Sequence, residues 1–113
     1  GKIFLVSDAM AVAGTDETLF YLAKRRIQRD RGRLTMEDGT LAGADLDLTS
    51  AIRTLRTQVG VALEDALCAA TSIPANLIGR TVQLSPEYGT LLSDTLRISS
   101  DLSSARYLCS FAI

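Results

Sequence analysis

The stretch that decides the fold reads Gly1-Lys2-Ile3-Phe4-Leu5-Val6-Ser7-Asp8-Ala9-Met10-Ala11. Ile3 to Val6 is a continuous, partly β-branched apolar run, which predicts a strand buried on both faces. Asp8 follows that run, and a charge at the end of a buried strand must be paired or hydrated. In α/β folds this is also the end at which active sites are built. Pattern alone favours a strand-end cap or turn residue, whereas the sequence around Asp8 favours a functional carboxylate.

Length and composition limit the class of protein. The chain has 113 residues, of which 47% are hydrophobic and 5% aromatic, so we expect one domain with a modest core. The net charge of −1 gives no general attraction to nucleic acid or to a membrane surface. No apolar run reaches the roughly 18 residues that span a bilayer, and the first residues lack the ordered regions of a secretory signal. We therefore expect a cytoplasmic protein.

Cysteine and histidine usage limits the chemistry. Cys68 and Cys109 lie far apart in apolar surroundings, which favours reduced, buried thiols, although a bridge between them stays open. Histidine is absent and no two cysteines are closely spaced. The chain alone therefore offers no ordinary metal site and no histidine-based triad.

A basic hairpin, defined here as residues 18–36, follows the first stretch. Thr18–Leu22, Arg25–Arg29 and Arg33–Met36 are predicted strands, and Asp30-Arg31-Gly32 has turn chemistry. Its basic residues are Lys24, Arg25, Arg26, Arg29, Arg31 and Arg33. Such a run can bind phosphate or nucleic acid. A solvated strand face is favoured, because no aromatic residues are interleaved to form a platform for bases and the rest of the chain is acidic.

The remainder is predicted as a glycine-bearing loop, helices and short strands. The loop is Glu37–Ala44, whose glycines permit close approach to bare backbone but lack the spacing of nucleotide-binding loops. Apolar periodicity predicts helices over Leu48–Val59, ending at Gly60, and over Leu63–Ala70. The other predicted elements are a helix from Pro74 to Ile78 that stops at Gly79, a turn over Ser85–Gly89, strand-like Leu91–Leu92 and Thr95–Ile98, and a strand over Arg106–Ile113.

Several motifs stand in a fixed order along the chain. They are Leu5-Val6-Ser7-Asp8-Ala9-Met10-Ala11 with Ala13-Gly14, then Asp38-Gly39-Thr40-Leu41-Ala42-Gly43, then the helical residues Gly60–Leu67, Ala70-Thr71, Pro74-Ala75 and Ile78-Gly79. This ordered set resembles the C-terminal part of the N-acetylglucosamine-6-phosphate deacetylases of the amidohydrolase superfamily. The resemblance covers about residues 2–79. From Arg80 onward only Gly89-Thr90-Leu91 and the strand pattern fit.

The resemblance implies an α/β fold, a C-terminal fragment of a metal-dependent (β/α)₈ TIM-barrel hydrolase with part of a flanking β-sandwich. Such a barrel needs about 250 residues. Residues 1–79 would then hold the last barrel strand, a β-hairpin excursion and the C-terminal barrel helices, and residues 80–113 the returning sandwich strands. The implied divalent metal, zinc or iron, would be held in the longer parent by residues of earlier barrel strands, and none by this fragment.

The resemblance also implies roles for particular residues. Asp8 matches the catalytic aspartate, which takes a proton from the water activated by the metal and delivers it to the leaving sugar nitrogen. Leu41, Ala42, Gly43 and Ala44 match the loop that lies against the substrate. No metal ligand is assigned. Two positions depart from the family: Ala44 stands where Ser is usual, and Val12 where Pro is usual.

The implied reaction of the full-length parent is hydrolysis of the N-acetyl amide of N-acetylglucosamine 6-phosphate to glucosamine 6-phosphate and acetate. The fragment alone is expected to be inactive. Two alternatives remain: another metal-dependent amidohydrolase of the same superfamily, or a non-enzymatic module whose basic hairpin binds an anionic partner. Besides the amino-sugar phosphate, the expected partner is a second copy of the chain, met through exposed strand edges and apolar helix faces.

Overall fold

The structure, a computed structural model, describes residues 2–82 and 89–108. The chain divides into two compact units. The sheet unit is Ser7–Asp47, and the helical unit combines Gly1–Val6 with Leu48–Ile113 as far as these are described. The described residues form a small sheet, a hairpin and several helices, and no barrel is present among them.

The sheet unit contains a four-stranded antiparallel sheet in which the strands are neighbours in chain order. Its strands are β1 (Leu19–Leu22), β2 (Arg25–Asp30), β3 (Arg33–Met36) and β4 (Leu41–Ala44). Asp30 pairs with Arg33, and the two residues between them have φ of 47° and 74°. A two-residue hairpin turn needs positive φ to match the twist of the strands, and the glycine provides it without strain. The three strands and the turn predicted for the basic hairpin are confirmed.

A small apolar core lies on one face of this sheet. Its buried residues are Val12, Ile27 and Leu34, with Met10, Phe20 and Ala42 packed against them. Val12 belongs to the segment that follows Asp8, so burial of its side chain fixes that segment on the sheet. Residues 11–14 form turns, in which the Ala13 amide donates to the Met10 carbonyl at 2.9 Å.

The helical unit follows the predicted periodicity closely. Its helices are α1 (Leu48–Thr54), α2 (Leu63–Ala70) and α3 (Ser72–Leu77), and α1 continues into a π-helical turn over Leu55–Val59. Gly60 ends that turn with φ of 81°, as predicted. Ile52, Ala66 and Leu102 form the core. α3 begins two residues earlier than predicted; Pro74 is tolerated there because amides in the first turn have no intrahelical acceptor.

The predicted strand over Ile3–Val6 is wrong for this chain. These residues adopt no regular structure, and the side chains of Ile3 and Val6 are 82% and 69% exposed. A strand buried on both faces needs partners at its edges and cover above and below. None of the described strands pairs with it. Leu5 alone is anchored: its amide donates to the Ala69 carbonyl at 2.8 Å and its side chain packs on the helical core.

The last described elements are a short hairpin and the turn before it. A 3₁₀ turn covers Leu92–Asp94, and β5 (Leu96–Ile98) pairs with β6 (Ala105–Tyr107). The predicted turn at Ser85–Gly89 lies outside the described residues except for Gly89, as does the predicted strand after residue 108, with Cys109. Cys68 is a free, partly buried thiol. No helix in the described part of the chain is long and apolar enough to cross a membrane. The predicted domain boundary at residue 79 stays a prediction.

A pH prediction comes from the turn between β5 and β6. Hydrogen bonds from Ser99 and Ser103 lower the pKa of Asp101 from 3.8 to about 2. The Ser103 amide and hydroxyl donate to its Oδ1 at 3.1 and 2.8 Å. Because the folded pKa is depressed, the stabilisation is complete above pH 3.8 and is lost as the pH falls through about 2. A carboxyl-carbon NMR titration of Asp101 checks this, and a midpoint at the ordinary value of 3.8 would contradict it.

Candidate active site

Asp8 has an unusual backbone conformation for a residue with a side chain. Its φ is 47°, in the left-handed region, which costs about 1–2 kcal/mol for an L-residue but is tolerated better by Asp than by most. The residue is exposed. Among the described residues, no hydrogen bond or ion pair engages its carboxylate. Asp8 is therefore not the strand-end cap that pattern alone allowed, whereas its left-handed φ is typical of a turn residue, the other role that pattern alone allowed.

The backbone around Asp8 is joined to the end of β4. The Ala44 amide donates a hydrogen bond to the Asp8 carbonyl at 3.1 Å, and Ala9 forms a parallel bridge with Ala44. These contacts join two segments more than thirty positions apart in the chain. They are the segments that contain the candidate catalytic residue and the candidate substrate-binding residues.

Gly43 is needed at this junction for steric reasons. It is buried, and a Cβ added there would lie 2.6 Å from Met10 Cγ, 2.9 Å from its Sδ and 3.4 Å from the Asp8 carbonyl oxygen. The close approach predicted for this glycine is thus an approach to Met10 and Asp8 of the same chain. It brings β4 against the segment that follows Asp8.

The predicted loop over Glu37–Ala44 is a loop only in its first half. Leu41–Ala44 is strand β4, paired with β3 across a bulge at Leu34/Thr35. Of the four candidate substrate-binding residues, Leu41 is exposed, Ala42 and Ala44 are partly buried and Gly43 is buried. The structure therefore places them at the edge of a sheet, with backbone held extended.

Asp38 and Gly39 form the turn before β4. The Asp38 carboxylate accepts a hydrogen bond from the Thr40 amide at 2.9 Å, and this bond lowers the pKa of Asp38 below its usual value. Gly39 has φ of 82° and donates its amide to the Met36 carbonyl at 2.9 Å. This part of the motif is accounted for by turn chemistry, so only residues 41–44 remain candidates for substrate contact.

Arg29 is a residue whose role the sequence reasoning missed. It was grouped with the solvated basic residues, but its side chain is 17% exposed and forms an ion pair with Asp45 at 3.0 Å. Its Nη1 and Nη2 also donate to the carbonyls of Thr15 and Val12, both at 2.7 Å. A signal was available: Arg29 lies two positions after buried Ile27 in a strand, and therefore on the same face.

The other described basic residues of the hairpin fit the predicted solvated face. Arg26 approaches Glu37 at 3.9 Å and Arg31 contacts the neighbouring Asp30 at 3.2 Å, all four being well exposed. Exposed pairs of this kind contribute at most about 1 kcal/mol. They partly neutralise the hairpin without ordering a binding surface.

The described residues do not fit a metal site. Within residues 2–82 and 89–108, no group of three His, Cys, Asp or Glu side chains lies close enough to bind a metal ion. Where the Asp8 segment meets β4, the arrangement provides one exposed carboxylate, that of Asp8.

The comparisons identify deacetylases of acetylated amino-sugar phosphates as relatives. No protein-family profile matches the chain. An N-acetylgalactosamine-6-phosphate deacetylase of Shewanella sp. (strain ANA-3) is 37% identical over 78 residues, covering 69% of this chain and 20% of the relative. An N-acetylglucosamine-6-phosphate deacetylase of Vibrio furnissii is 29% identical over 103 residues, covering 90% of this chain and 26% of the relative.

A solved structure has the same fold. The crystal structure of N-acetylglucosamine-6-phosphate deacetylase from Pasteurella multocida matches with a TM-score of 0.72 and 23% identity, over 88% of this chain and 26% of the other. The resemblance noted from the motifs is thereby confirmed. The chain spans 20% and 26% of the lengths of the two curated relatives named above.

Replacing Gly43 tests how closely the two segments approach. In Gly43→Ala the new methyl group overlaps Met10, and we expect a loss of about 1–3 kcal/mol in the free energy of unfolding. Faster hydrogen exchange at the Ala44 amide should accompany it. Urea denaturation and exchange measured by NMR check both effects.

The matched control is the double variant Gly43→Ala/Met10→Ala. Shortening Met10 removes the atoms with which the new methyl group collides. Adding Gly43→Ala to a Met10→Ala background should therefore cost much less than adding it to the unchanged chain. Equal costs in the two backgrounds would show that the contact does not limit the approach.

Proposed function

We propose that this chain is the carboxy-terminal part of a longer deacetylase that hydrolyses the N-acetyl amide of N-acetylglucosamine 6-phosphate, giving glucosamine 6-phosphate and acetate. The observation that supports the proposal best is the pairing of Asp8 and Ala9 with Ala44. It joins the two segments to which the resemblance gives the catalytic acid and the substrate contacts. The relatives named for this type of reaction support the substrate class.

Asp8 is the proposed general base and acid. In amide hydrolysis, water oxygen bonds to the acetyl carbon, the C–N bond breaks, and a proton must travel from the water to the departing nitrogen. A carboxylate with no partner among the described residues is free to accept that proton and then to donate it. The backbone bond to Ala44 fixes the main chain that carries the Asp8 side chain, which limits the positions that its carboxylate can reach.

The metal implied by the resemblance would make the attacking water more acidic and polarise the amide carbonyl. Because no three His, Cys, Asp or Glu side chains cluster within residues 2–82 and 89–108, we propose that its ligands come from other parts of the longer protein. For the same reason we propose that the 113-residue chain alone has no turnover.

β4 is the proposed substrate-facing strand. It is the last strand in the sheet order, and Ala44 alone is bridged to the segment after Asp8. An edge strand offers unpaired backbone amides and carbonyls to a ligand. Ala44 brings a methyl group where the family usually has a hydroxyl, and its amide already donates to the Asp8 carbonyl, so polar contacts to the sugar would come from other backbone groups of β4.

The non-enzymatic alternative, anion binding by the basic hairpin, has less support. Arg29 is occupied by Asp45 and two carbonyls, and Arg26 and Arg31 lie next to carboxylates. These contacts leave less positive charge free for a phosphate backbone than the sequence suggested.

Asp8→Asn in the full-length deacetylase tests the catalytic assignment. Asn tolerates the left-handed backbone but cannot take up the proton, so we expect kcat to fall by about 10²–10⁴-fold. Metal content and the unfolding midpoint should change little, because the carboxylate contacts no described residue. Steady-state kinetics, metal analysis and thermal unfolding measure the three quantities.

Asp16→Asn is the matched control, since Asp16 is an exposed carboxylate in the same segment. It should retain kcat within about twofold, as surface substitutions away from a site usually have little effect. An Asp8→Asn enzyme as active as the Asp16→Asn enzyme would remove Asp8 from the reaction.

A substrate panel tests the sugar and separates this proposal from another amidohydrolase activity. The relatives include deacetylases named for the galacto and the gluco sugar. We expect kcat/KM for N-acetylglucosamine 6-phosphate to exceed that for its galacto epimer by about tenfold or more, because a misplaced hydroxyl leaves polar groups unpaired. A preference for the galacto epimer would show that the proposed sugar is wrong. Turnover only of amides without a sugar phosphate would overturn the proposal in favour of another amidohydrolase activity.

A further inference from the structure

Arg29 and Asp45 bridge the two segments of the candidate site. We propose that they are positioning residues, which set the distance between the Asp8 segment and β4 and so hold Asp8 at the place where it acts. This inference rests on the proposed function, because it assigns a purpose to the same carboxylate. Neither residue contacts the Asp8 side chain, so their effect passes through the backbone.

The guanidinium group of Arg29 contacts both segments at once. On one side it donates to the carbonyls of Val12 and Thr15, at 2.7 Å each, in the turns that follow Asp8. On the other side it pairs at 3.0 Å with Asp45, the residue directly after β4. The planar guanidinium group of arginine holds several donors in a fixed arrangement that suits these acceptors. The single ammonium group of a lysine cannot reproduce that arrangement of donors.

These contacts close a ring through the candidate site. From Asp8 the chain runs through the Met10–Ala13 turn to Val12, whose carbonyl binds Arg29. Arg29 binds Asp45, and its neighbour Ala44 donates its amide back to the Asp8 carbonyl. If the ring is opened at Arg29, the two segments are held together only by the Asp8–Ala44 pairing and by apolar contacts.

Stability alone does not explain this arrangement. Arg29 and Asp45 are 17% and 19% exposed, so much of their hydration is lost. Arg29 Nε is buried and has no acceptor among the described residues. A desolvated ion pair is a weak source of stability, and removing its water offsets much of the attraction. What the pair does provide is a fixed geometry, since a bound guanidinium allows few alternative positions of its acceptors.

The experiment compares Arg29→Gln and Asp45→Asn with Arg31→Gln as the matched control. Arg31 lies on the same hairpin with a 90% exposed side chain and contacts only its neighbour Asp30 among the ion pairs of the described residues. In the 113-residue chain, hydrogen exchange at the Ala44 amide should become about tenfold faster in the first two variants. It should stay unchanged in Arg31→Gln, and amides of the β2–β3 pairing should keep their protection in all three.

The second readout is catalysis by the full-length deacetylase. We expect kcat to fall by about 10–10²-fold in Arg29→Gln and Asp45→Asn, because a shift of about 1 Å in a catalytic group has effects of that size. KM should stay within about twofold. Arg29→Lys should lie between the wild type and Arg29→Gln, because it retains the charge without the fixed arrangement of donors.

The outcomes separate the two proposals. Faster exchange at Ala44 in the two variants, combined with no deacetylase activity in the unmutated full-length protein, would support the bridge and overturn the proposed function. Unchanged exchange at Ala44, or a uniform rise at all amides, would overturn the bridge. An unchanged kcat in the Arg29→Gln and Asp45→Asn variants of an active full-length enzyme would also overturn the bridge. If Arg29→Gln does not fold, Asp45→Asn and Arg29→Lys give the same comparison.

Discussion

One backbone hydrogen bond, from the Ala44 amide to the Asp8 carbonyl, is the constraint on which the candidate site depends. It pairs two segments that are distant in sequence, so local propensity cannot form it. It needs β4 in place, which the turn at Asp38 and Gly39 secures, and it needs Val12 in the sheet core. It also needs a residue without a side chain at position 43, since Met10 occupies that space. The sheet, the turn and the core thus together determine the position of the Asp8 main chain.

Two unfavourable features of the described chain lie close to this bond. Asp8 has a left-handed backbone, and Arg29 buries a nitrogen that has no acceptor within the described residues. Elsewhere, positive φ at Gly32 and Gly39 falls in turns and Ile27 and Leu34 are buried, but Ala23, Lys24, Arg31 and Leu102 also have positive φ. Strain that persists where the surrounding structure determines it is typical of functional positions. The conformation of Asp8 alone therefore does not distinguish it from the turn residues, and its proposed role rests on its pairing with Ala44.

Sequence predicted the elements whose information is local. The basic hairpin followed from turn chemistry at Asp30 to Gly32, and the helix over residues 48–59 from apolar periodicity and Gly60. Prediction from the sequence failed where contacts with residues distant in the chain decide the secondary structure. The run Ile3–Val6 encodes burial, but a strand forms only where other strands pair with it. Leu41–Ala44 has small, uniformly apolar residues, so no alternation distinguishes a strand from a loop.

The same contacts place the backbone of Asp8 without the rest of the active site that we propose for a longer protein. Asp8 is positioned by contacts that all lie within residues 7–47: the bond to Ala44, the packing of Gly43 against Met10 and the bridge through Arg29. None of these contacts uses a metal or a residue from elsewhere. The main chain that carries the proposed acid is preset in this way, so its ordering would be absent from the barrier of the proposed reaction. The backbone position of Asp8 is therefore a property of this stretch of chain, whereas the reaction proposed for it would depend on groups from the rest of a longer protein.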